Sequence, residues 1–209
     1  MSRRAARVAL LLVLLAGGLL RFTGLAWDEG QHLHPDERFS SMVEEKLTFP
    51  GWRGYFDSAR STLNPYNRGH ESYVYGTLPL FLAKGAARLL GKSGYDGTYL
   101  VGRALSGLFD LFSVWATYLL ARRFGGRRAA LLAAAFLAFS PLGVQLSHFW
   151  GSDTFLTTFS VLTLLGATRI AIGKRDMVGT AATGVALGLA VACKVTALAL
   201  LGPVGLAVL

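Results

Sequence analysis

The sequence predicts an all-α fold: a polytopic transmembrane helical bundle of about six spans, with a cytoplasmic N-terminus and a large first external loop. Its 209 residues are 53% hydrophobic, with a mean hydropathy of +0.45, and the apolar residues form long runs. A hydrocarbon core of about 30 Å requires roughly 20 apolar residues per helix. At this run length only helices satisfy the backbone hydrogen bonds in lipid.

Basic residues are concentrated in short segments between the apolar runs: Arg3, Arg4 and Arg7, then Arg122, Arg123, Arg127 and Arg128, then Lys174 and Arg175. The positive-inside rule assigns such segments to the cytoplasm. A net charge of +9 is also compatible with nucleic-acid binding, but a nucleic-acid-binding domain carries its basic residues as a patch on a soluble fold. We therefore expect a membrane topology and no nucleic-acid partner.

The apolar runs predict spans at residues 8–26, 99–121, 129–146 and 154–172, and two more within 177–209, divided near Lys194. The first run is also compatible with a cleaved signal peptide, but a retained anchor is favoured because no small-x-small cleavage site follows it. Arg21, near the outer end of this span, is expected to snorkel to the interface. The single cysteine, Cys193, excludes an internal disulfide and is expected to be a small buried hydrophobe.

Residues 27–98 form the predicted first external loop, within one domain that covers residues 1–209. Residues 37–47 have the apolar spacing of an amphipathic helix lying on the membrane surface. Residues 77–90 contain Lys84 and Arg88 and predict a short interfacial or re-entrant helix. In the next span, Arg103 and Asp110 are expected to serve helix packing or interface anchoring rather than catalysis.

The first external loop contains an unusual cluster of ionisable residues: His32, His34, Asp36, Glu37 and Arg38. Two carboxylates and two imidazoles this close together can bind a metal or deprotonate an acceptor hydroxyl. The same stretch is equally typical of a helix start, with a proline followed by two acids at the positive end of the helix dipole. No spacing demands a divalent metal ion, although the loop supplies side chains for one: His34, Asp36, Glu37, His70 and Glu71.

Asp153 and Lys194 stand at predicted outer ends of spans. An ionisable group at membrane depth is a functional candidate by default, and the alternative for Asp153 is an N-cap. Lys194 is the lone cation of residues 177–209; a lipid phosphate is its natural partner, and snorkelling to head groups is the alternative. The topology brings both residues and the first-loop acids to one side of the membrane. Together they could supply a base, a positioning acid and a cation that stabilises a phosphate. These groups suit the transfer of a group from a phosphate to a hydroxyl or amine.

The sequence has ordered landmarks at Arg21, HPDERF (34–39), YGTLPL (75–80), ARRFGGRR (121–128), Ser140-Pro141, Asp153 and GLAVACKVT (188–196). In their order and spacing they resemble the GT-C superfamily of glycosyltransferases, in particular the family 39 type of protein O-mannosyltransferases and lipid A aminoarabinose transferases. The resemblance implies transfer of a sugar from a polyprenyl-phosphate carrier on the non-cytoplasmic face of the cell membrane. The implied acceptor is a protein, a lipid or a glycan.

The same resemblance assigns roles to residues of this chain. It implies Asp36, Glu37 and Asp153 as catalytic acids, and the donor phosphate as the partner of Lys194 and Arg38. As further candidates for substrate contacts, we name His34, His70, Tyr75 and His148.

The chain also departs from the family. Aminoarabinose transferases have a Lys-Pro-Pro element where residues 76–79 read Gly-Thr-Leu-Pro, so the phosphate and acceptor contacts are expected to differ. Family members have more spans, and this chain stops within an apolar run at Leu209, so we expect a partner subunit or a missing C-terminal half. The alternative function is a non-catalytic membrane scaffold or transporter-like protein that binds a lipid or a partner. Transport would favour charged residues along the middle of helices, where this chain has few.

Overall fold

The computed structural model describes residues 1–173 and 176–209, and it confirms the all-α fold. Within these residues the chain forms helices and no strand. The α-helices are α1 (Arg3–Phe22), α2 (Pro35–Lys46), α3 (Gly51–Phe56), α4 (Leu78–Leu89), α5 (Tyr95–Ala138), α6 (Pro141–Ser147), α7 (Asp153–Ala171), α8 (Met177–Cys193) and α9 (Leu201–Val208). Short 3₁₀ helices occupy Pro65–Arg68 and Val195–Leu200. The predicted cytoplasmic pair Lys174 and Arg175 lies outside the described residues.

Three of the described helices, α1, α5 and α7, are long and apolar enough to cross a membrane, and α8 is a shorter apolar helix. Large apolar side chains cover the outside of the bundle; on α1, for example, Leu12 and Leu15 are each 61% exposed. A surface of this kind is stable in lipid rather than in water. The protein is therefore a membrane helical bundle, whereas the count of six spans stays a prediction.

The predicted Arg-rich turn between two spans is a sharp kink within α5. Gly126 has φ 70° and ψ −166°, a backbone conformation that favours glycine. Residues from both sides of the kink share one buried cluster: Val114, Tyr118, Ala130, Ala134 and Ala138. The two halves of α5 therefore pack side by side, and the small alanines permit their close approach.

Arg21 does not snorkel to the interface, so that expectation is wrong. Its side chain is fully buried and pairs with Asp110 of α5 at 2.6 Å. The guanidinium also donates to the carbonyl oxygens of Ala138 at 2.8 Å and Gly17 at 3.0 Å. Because α1 packs against α5 here, the Arg21 side of the helix end faces protein rather than lipid. The expected packing role of Asp110 is confirmed.

Both helices predicted in the first external loop are present, as α2 and α4. Val43 and Leu47, which were expected to face the membrane surface, are instead buried in a core cluster with Leu80 of α4. For these two residues the expectation is wrong. Lys84 of α4 donates to the carboxylate of Glu44 at 2.7 Å, so its charge is paired within the protein. These contacts attach the segment between α1 and α5 to the bundle.

The predicted division of residues 177–209 near Lys194 is confirmed. Lys194 has the extended backbone angles φ −163° and ψ 132°, and it separates α8 from the 3₁₀ helix Val195–Leu200. Cys193, the residue before the break, is a free and buried cysteine, as expected. Since the helix is interrupted here, backbone groups at the end of α8 are available to other segments.

Candidate functional site

A cavity of about 160 Å³ lies where the start of α2, the segment before α4 and the loop before α7 meet. It is lined by His34, Asp36, Ser40, Tyr73, Tyr75, Gly76, Pro79, Leu80, Leu146, Phe149, Trp150, Gly151, Ser152, Asp153 and Thr154. Four of the predicted site residues are among them: His34, Asp36, Tyr75 and Asp153. Two carboxylates from distant parts of the sequence thus face one concave space.

Asp36 reaches the cavity from the first turn of α2. The helix begins at Pro35, and the Nδ1 atom of His34 accepts a hydrogen bond from the Glu37 N–H at 3.4 Å. The His34 ring also stacks on Phe149, with centroids 4.1 Å apart. The helix-start interpretation of this stretch is therefore confirmed, and the same turn presents the Asp36 carboxylate to the cavity.

Tyr75 lines the same cavity as the two acids. Burial raises the pKa of Tyr75, and the negative charge of Asp36, a hydrogen bond to Asp36 and the charge of Asp153 raise it further. Each of these effects disfavours the phenolate, so Tyr75 remains a proton donor at neutral pH. A neutral phenol at this position can donate a hydrogen bond to a carboxylate and leave the carboxylate ionised.

Asp153 is the first residue of α7, and Ser152 occupies the N-cap position without a side-chain cap bond. The capping alternative for Asp153 is therefore wrong. Instead its Oδ1 atom accepts a hydrogen bond from the ammonium group of Lys194 at 3.1 Å. The Lys194 and Asp153 side chains are 34% and 48% exposed, so water screens this pair and it contributes little stability. An ion pair of that kind can exchange one partner for an incoming anion.

The backbone break at Lys194 is held in place by Gly76. The Gly76 N–H donates to the carbonyl oxygen of Cys193 at 3.0 Å. A Cβ atom added to Gly76 would overlap the carbonyl oxygen of Ala192. Only glycine permits this approach, which brings Tyr75 beside the end of α8.

This contact gives a prediction for Gly76→Ala. We expect the added methyl group to separate residues 75–76 from α8 and to lower thermal stability by about 1–3 kcal/mol, the usual cost of overpacking. Thermal unfolding in detergent measures the effect. Gly85→Ala is the matched control, because a Cβ on Gly85 of α4 meets no atom within 4 Å. Equal stability of the two variants would contradict the assigned contact.

A buried ionic network lies directly behind the cavity and centres on Arg103 of α5. Its guanidinium donates to both carboxylate oxygens of Asp28, at 3.0 and 2.7 Å, and to both of Glu37, at 2.8 and 2.5 Å. It also donates to the Leu25 carbonyl oxygen at 2.6 Å. Hydrogen bonds from Arg103 hold the pKa of Asp28 below its usual value. The expected packing role of Arg103 is confirmed, and Asp28 is a member that the sequence did not indicate.

Glu37 connects this network to the loop that carries Asp153. The Trp150 N–H donates to the Glu37 carboxylate at 2.8 Å, and the Glu37 side chain is fully buried. A Cβ on Gly102 of α5 would overlap the Trp150 ring, so α5 also fixes Trp150 directly. With both oxygens occupied, Glu37 holds the shape of the cavity, whereas its neighbour Asp36 faces the open space.

Five predicted site residues do not line the cavity: Glu37 and Lys194, which bond to the loop before α7 and to Asp153, and three residues with no such contact. Arg38 lies on the exposed side of α2. His70 is buried edge-on to Phe39 at 6.0 Å, and burial lowers the pKa of His70. His148 lies between backbone carbonyl oxygens of Val144 at 2.8 Å and Thr23 at 2.9 Å.

A metal site is not formed by the side chains that the structure describes. Within residues 1–173 and 176–209, no group of three or more His, Cys, Asp or Glu side chains lies close enough to hold a metal ion. The groups close to the cavity acids are instead the Tyr75 phenol and the Lys194 ammonium group. This arrangement is suited to proton transfer and to contact with an anion.

The fold and the cavity define an all-helical membrane protein with a two-acid site at one end of its bundle. Residues 77–209, more than half of the chain, match the family model of dolichyl-phosphate-mannose-protein mannosyltransferases. The chain belongs to this family, and it is a membrane glycosyltransferase of the GT-C type. Asp153 and Lys194 lie within the matched segment, and Asp36 precedes it. No curated protein and no solved structure gave a significant match.

Proposed function

We propose that this chain transfers a sugar from a polyprenyl-phosphate-linked donor to a protein, lipid or glycan acceptor on the non-cytoplasmic face of the cell membrane. The observation that carries the proposal is the shared cavity of Asp36 and Asp153, with Lys194 bonded to Asp153. The family supports a lipid-linked donor in a membrane. The donor class, the acceptor and the side of the membrane are our inference.

In the proposed reaction, the acceptor hydroxyl or amine attacks the anomeric carbon and the bond from that carbon to the phosphate oxygen breaks. The phosphate leaves with the bonding electron pair, and the acceptor proton passes to Asp36, the general base. The Tyr75 phenol lines the same cavity and would donate a hydrogen bond that orients the Asp36 carboxylate. Lys194, released from Asp153, compensates the charge that develops on the phosphate. Attack opposite the leaving group inverts the anomeric configuration.

The distribution of charge supports the proposed orientation. In α5, a continuous stretch of helix connects Arg103, beside the cavity, with Arg122, near the kink. At 1.5 Å per residue, the helix rises about 28 Å between these two residues. That length corresponds to the hydrocarbon core of a bilayer. Because the Arg-rich end is expected to face the cytoplasm, the acidic cavity would face the other side.

The cavity volume indicates that only part of the donor binds inside the protein and that the rest stays in the lipid. At about 160 Å³ the cavity is smaller than typical ligand pockets of roughly 300–1,000 Å³. It suits the reacting groups rather than the whole lipid-linked sugar. We infer that the polyprenyl chain remains in the bilayer, against the exposed apolar residues of the bundle.

The test is sugar transfer in membranes that contain the chain at a defined level. Radiolabelled sugar is supplied either on polyprenyl phosphate or on a nucleotide, and label in protein, lipid and glycan fractions is counted. We expect incorporation from the polyprenyl-phosphate donor, even after nucleotide sugars have been washed out. Incorporation from the nucleotide donor alone, or from neither donor, would contradict the proposal.

A variant of Lys194 tests its contact with the donor phosphate. Lys194→Gln removes a charged hydrogen bond of the kind worth about 1.5–3 kcal/mol, so we expect KM for the donor to rise about tenfold or more. Transfer rates over a series of donor concentrations measure this. Lys92→Gln is the control, since it neutralises an exposed lysine that is not the partner of a cavity acid, as Lys194 is of Asp153. An unchanged KM in Lys194→Gln would show that the donor phosphate does not bind at Lys194.

A further inference from the structure

A second, basic cleft lies at the other end of the bundle. It has a volume of about 810 Å³ and is formed between the first turns of α1 and the Gly126 kink of α5. Five guanidinium side chains line it: Arg3, Arg7, Arg122, Arg127 and Arg128. None of these residues belongs to the site of sugar transfer, so the cleft is a separate feature of the molecule.

The positive charge of this cleft is not neutralised from within the described chain. Residues 1–27 and 111–152, which contain both walls, include no Asp or Glu. Among the ion pairs that the structure describes, none involves the five arginines, whereas Arg21, Lys84, Arg103, Arg169 and Lys194 each pair with a carboxylate. The counter-charge for the cleft must therefore come from outside the described residues.

Local contacts hold the walls of the cleft in position. Arg127 donates from Nη1 to the Met1 carbonyl oxygen at 3.0 Å and so connects α5 to the segment before α1. The Arg122 guanidinium lies 5.7 Å from the centroid of the Tyr118 ring. The kink at Gly126 turns the chain so that arginines on both of its sides face one space. The cations therefore form a defined concave surface rather than a flexible basic tail.

The surroundings of the cleft indicate the chemical class of its ligand. Both walls belong to helices of membrane-crossing length, so the cleft lies at the boundary between hydrocarbon and water. Directly beside it, α1 exposes Val8, Leu11 and Leu12 by 52%, 55% and 61%. We propose that the cleft binds the phosphate headgroup of an anionic phospholipid, whose acyl chains lie along this apolar face of α1. Guanidinium groups bind phosphate oxygens through paired, charged hydrogen bonds.

The proposal is tested by titrating the purified full chain in neutral detergent and following bound ligand by native mass spectrometry. The probes are dioctanoyl phosphatidic acid, dioctanoyl phosphatidylcholine and inorganic pyrophosphate. We expect saturable binding of phosphatidic acid and much weaker binding of the other two. Pyrophosphate binding as tight as that of phosphatidic acid would overturn the lipid assignment in favour of a free phosphate ligand. An absence of phosphatidic acid binding would also overturn the proposal.

A matched pair of double variants separates a defined site from general attraction to positive charge. Arg7→Gln/Arg122→Gln removes one cation from each wall of the cleft. Arg4→Gln/Arg123→Gln makes the same charge change on the same segments, but these two residues do not line it. We expect about a thirtyfold loss of phosphatidic acid affinity in the first variant only. Equal losses would show diffuse electrostatics and overturn the site. Thermal unfolding and gel filtration establish that both variants are folded.

Discussion

Replacement of either cavity acid by asparagine, in Asp36→Asn or Asp153→Asn, is expected to reduce sugar transfer by about a hundred- to ten-thousandfold. Asparagine keeps the shape of the side chain, but it cannot accept the acceptor proton at position 36. At position 153 it loses the negative charge that holds Lys194 at the cavity until the donor phosphate takes its place. Initial rates at saturating donor, in membranes with equal protein levels, measure both effects.

The control for these variants is Asp57→Asn, which neutralises an exposed acid between α1 and α5. Because Asp57 lies outside the cavity lining, its variant is expected to retain full transfer. Thermal unfolding in detergent establishes whether the cavity variants are folded. Wild-type rates in Asp36→Asn or in Asp153→Asn would contradict the role proposed for that residue.

The sequence predicted the features that depend on local composition. Run length and charge placed α1, α5 and α7, and the lone Lys194 marked the break after α8. These predictions succeeded because the hydrocarbon thickness sets the length of an apolar run, and a charged residue disfavours its continuation. The alternation of spans also predicted that Asp36 and Asp153 lie at the same end, where the structure has them in one cavity.

Features that depend on contacts between distant segments were predicted less well. Snorkelling was expected of Arg21 because it stands near the end of an apolar run, yet its partner Asp110 is 89 residues away. Glu37 and Asp36 are neighbours that a helix turns by about 100° from each other, so one is buried and the other faces the cavity. Without the packing of α2 against α5, no local pattern distinguishes the two. A charged residue within an apolar span, such as Arg103, indicates that a buried ionic network is present. It does not indicate which residues are its partners.

Loss of the Arg103 guanidinium is expected to have the largest effect on stability. In Arg103→Met, the carboxylates of Asp28 and Glu37 remain buried without a counter-charge. Breaking a buried ion pair in this way costs about 3–5 kcal/mol, so we expect a large fall in the thermal unfolding temperature and in the yield of folded protein. Arg169→Met is the matched control, since its pair with Asp176 is exposed and such pairs contribute about 0–1 kcal/mol. Equal stability of the two variants would contradict the network.

A triple variant separates the stability that the network provides from its positioning of the site. In Arg103→Met/Asp28→Leu/Glu37→Leu the buried charges are removed together, and replacing a buried ionic group by apolar residues often restores stability. The Trp150 N–H then loses its acceptor, so the loop before Asp153 is no longer held by α2. We therefore expect unfolding temperatures near wild type but transfer that remains low, with kcat reduced more than the donor KM is raised. Recovery of transfer together with stability would show that the network only supports folding and does not position Asp153.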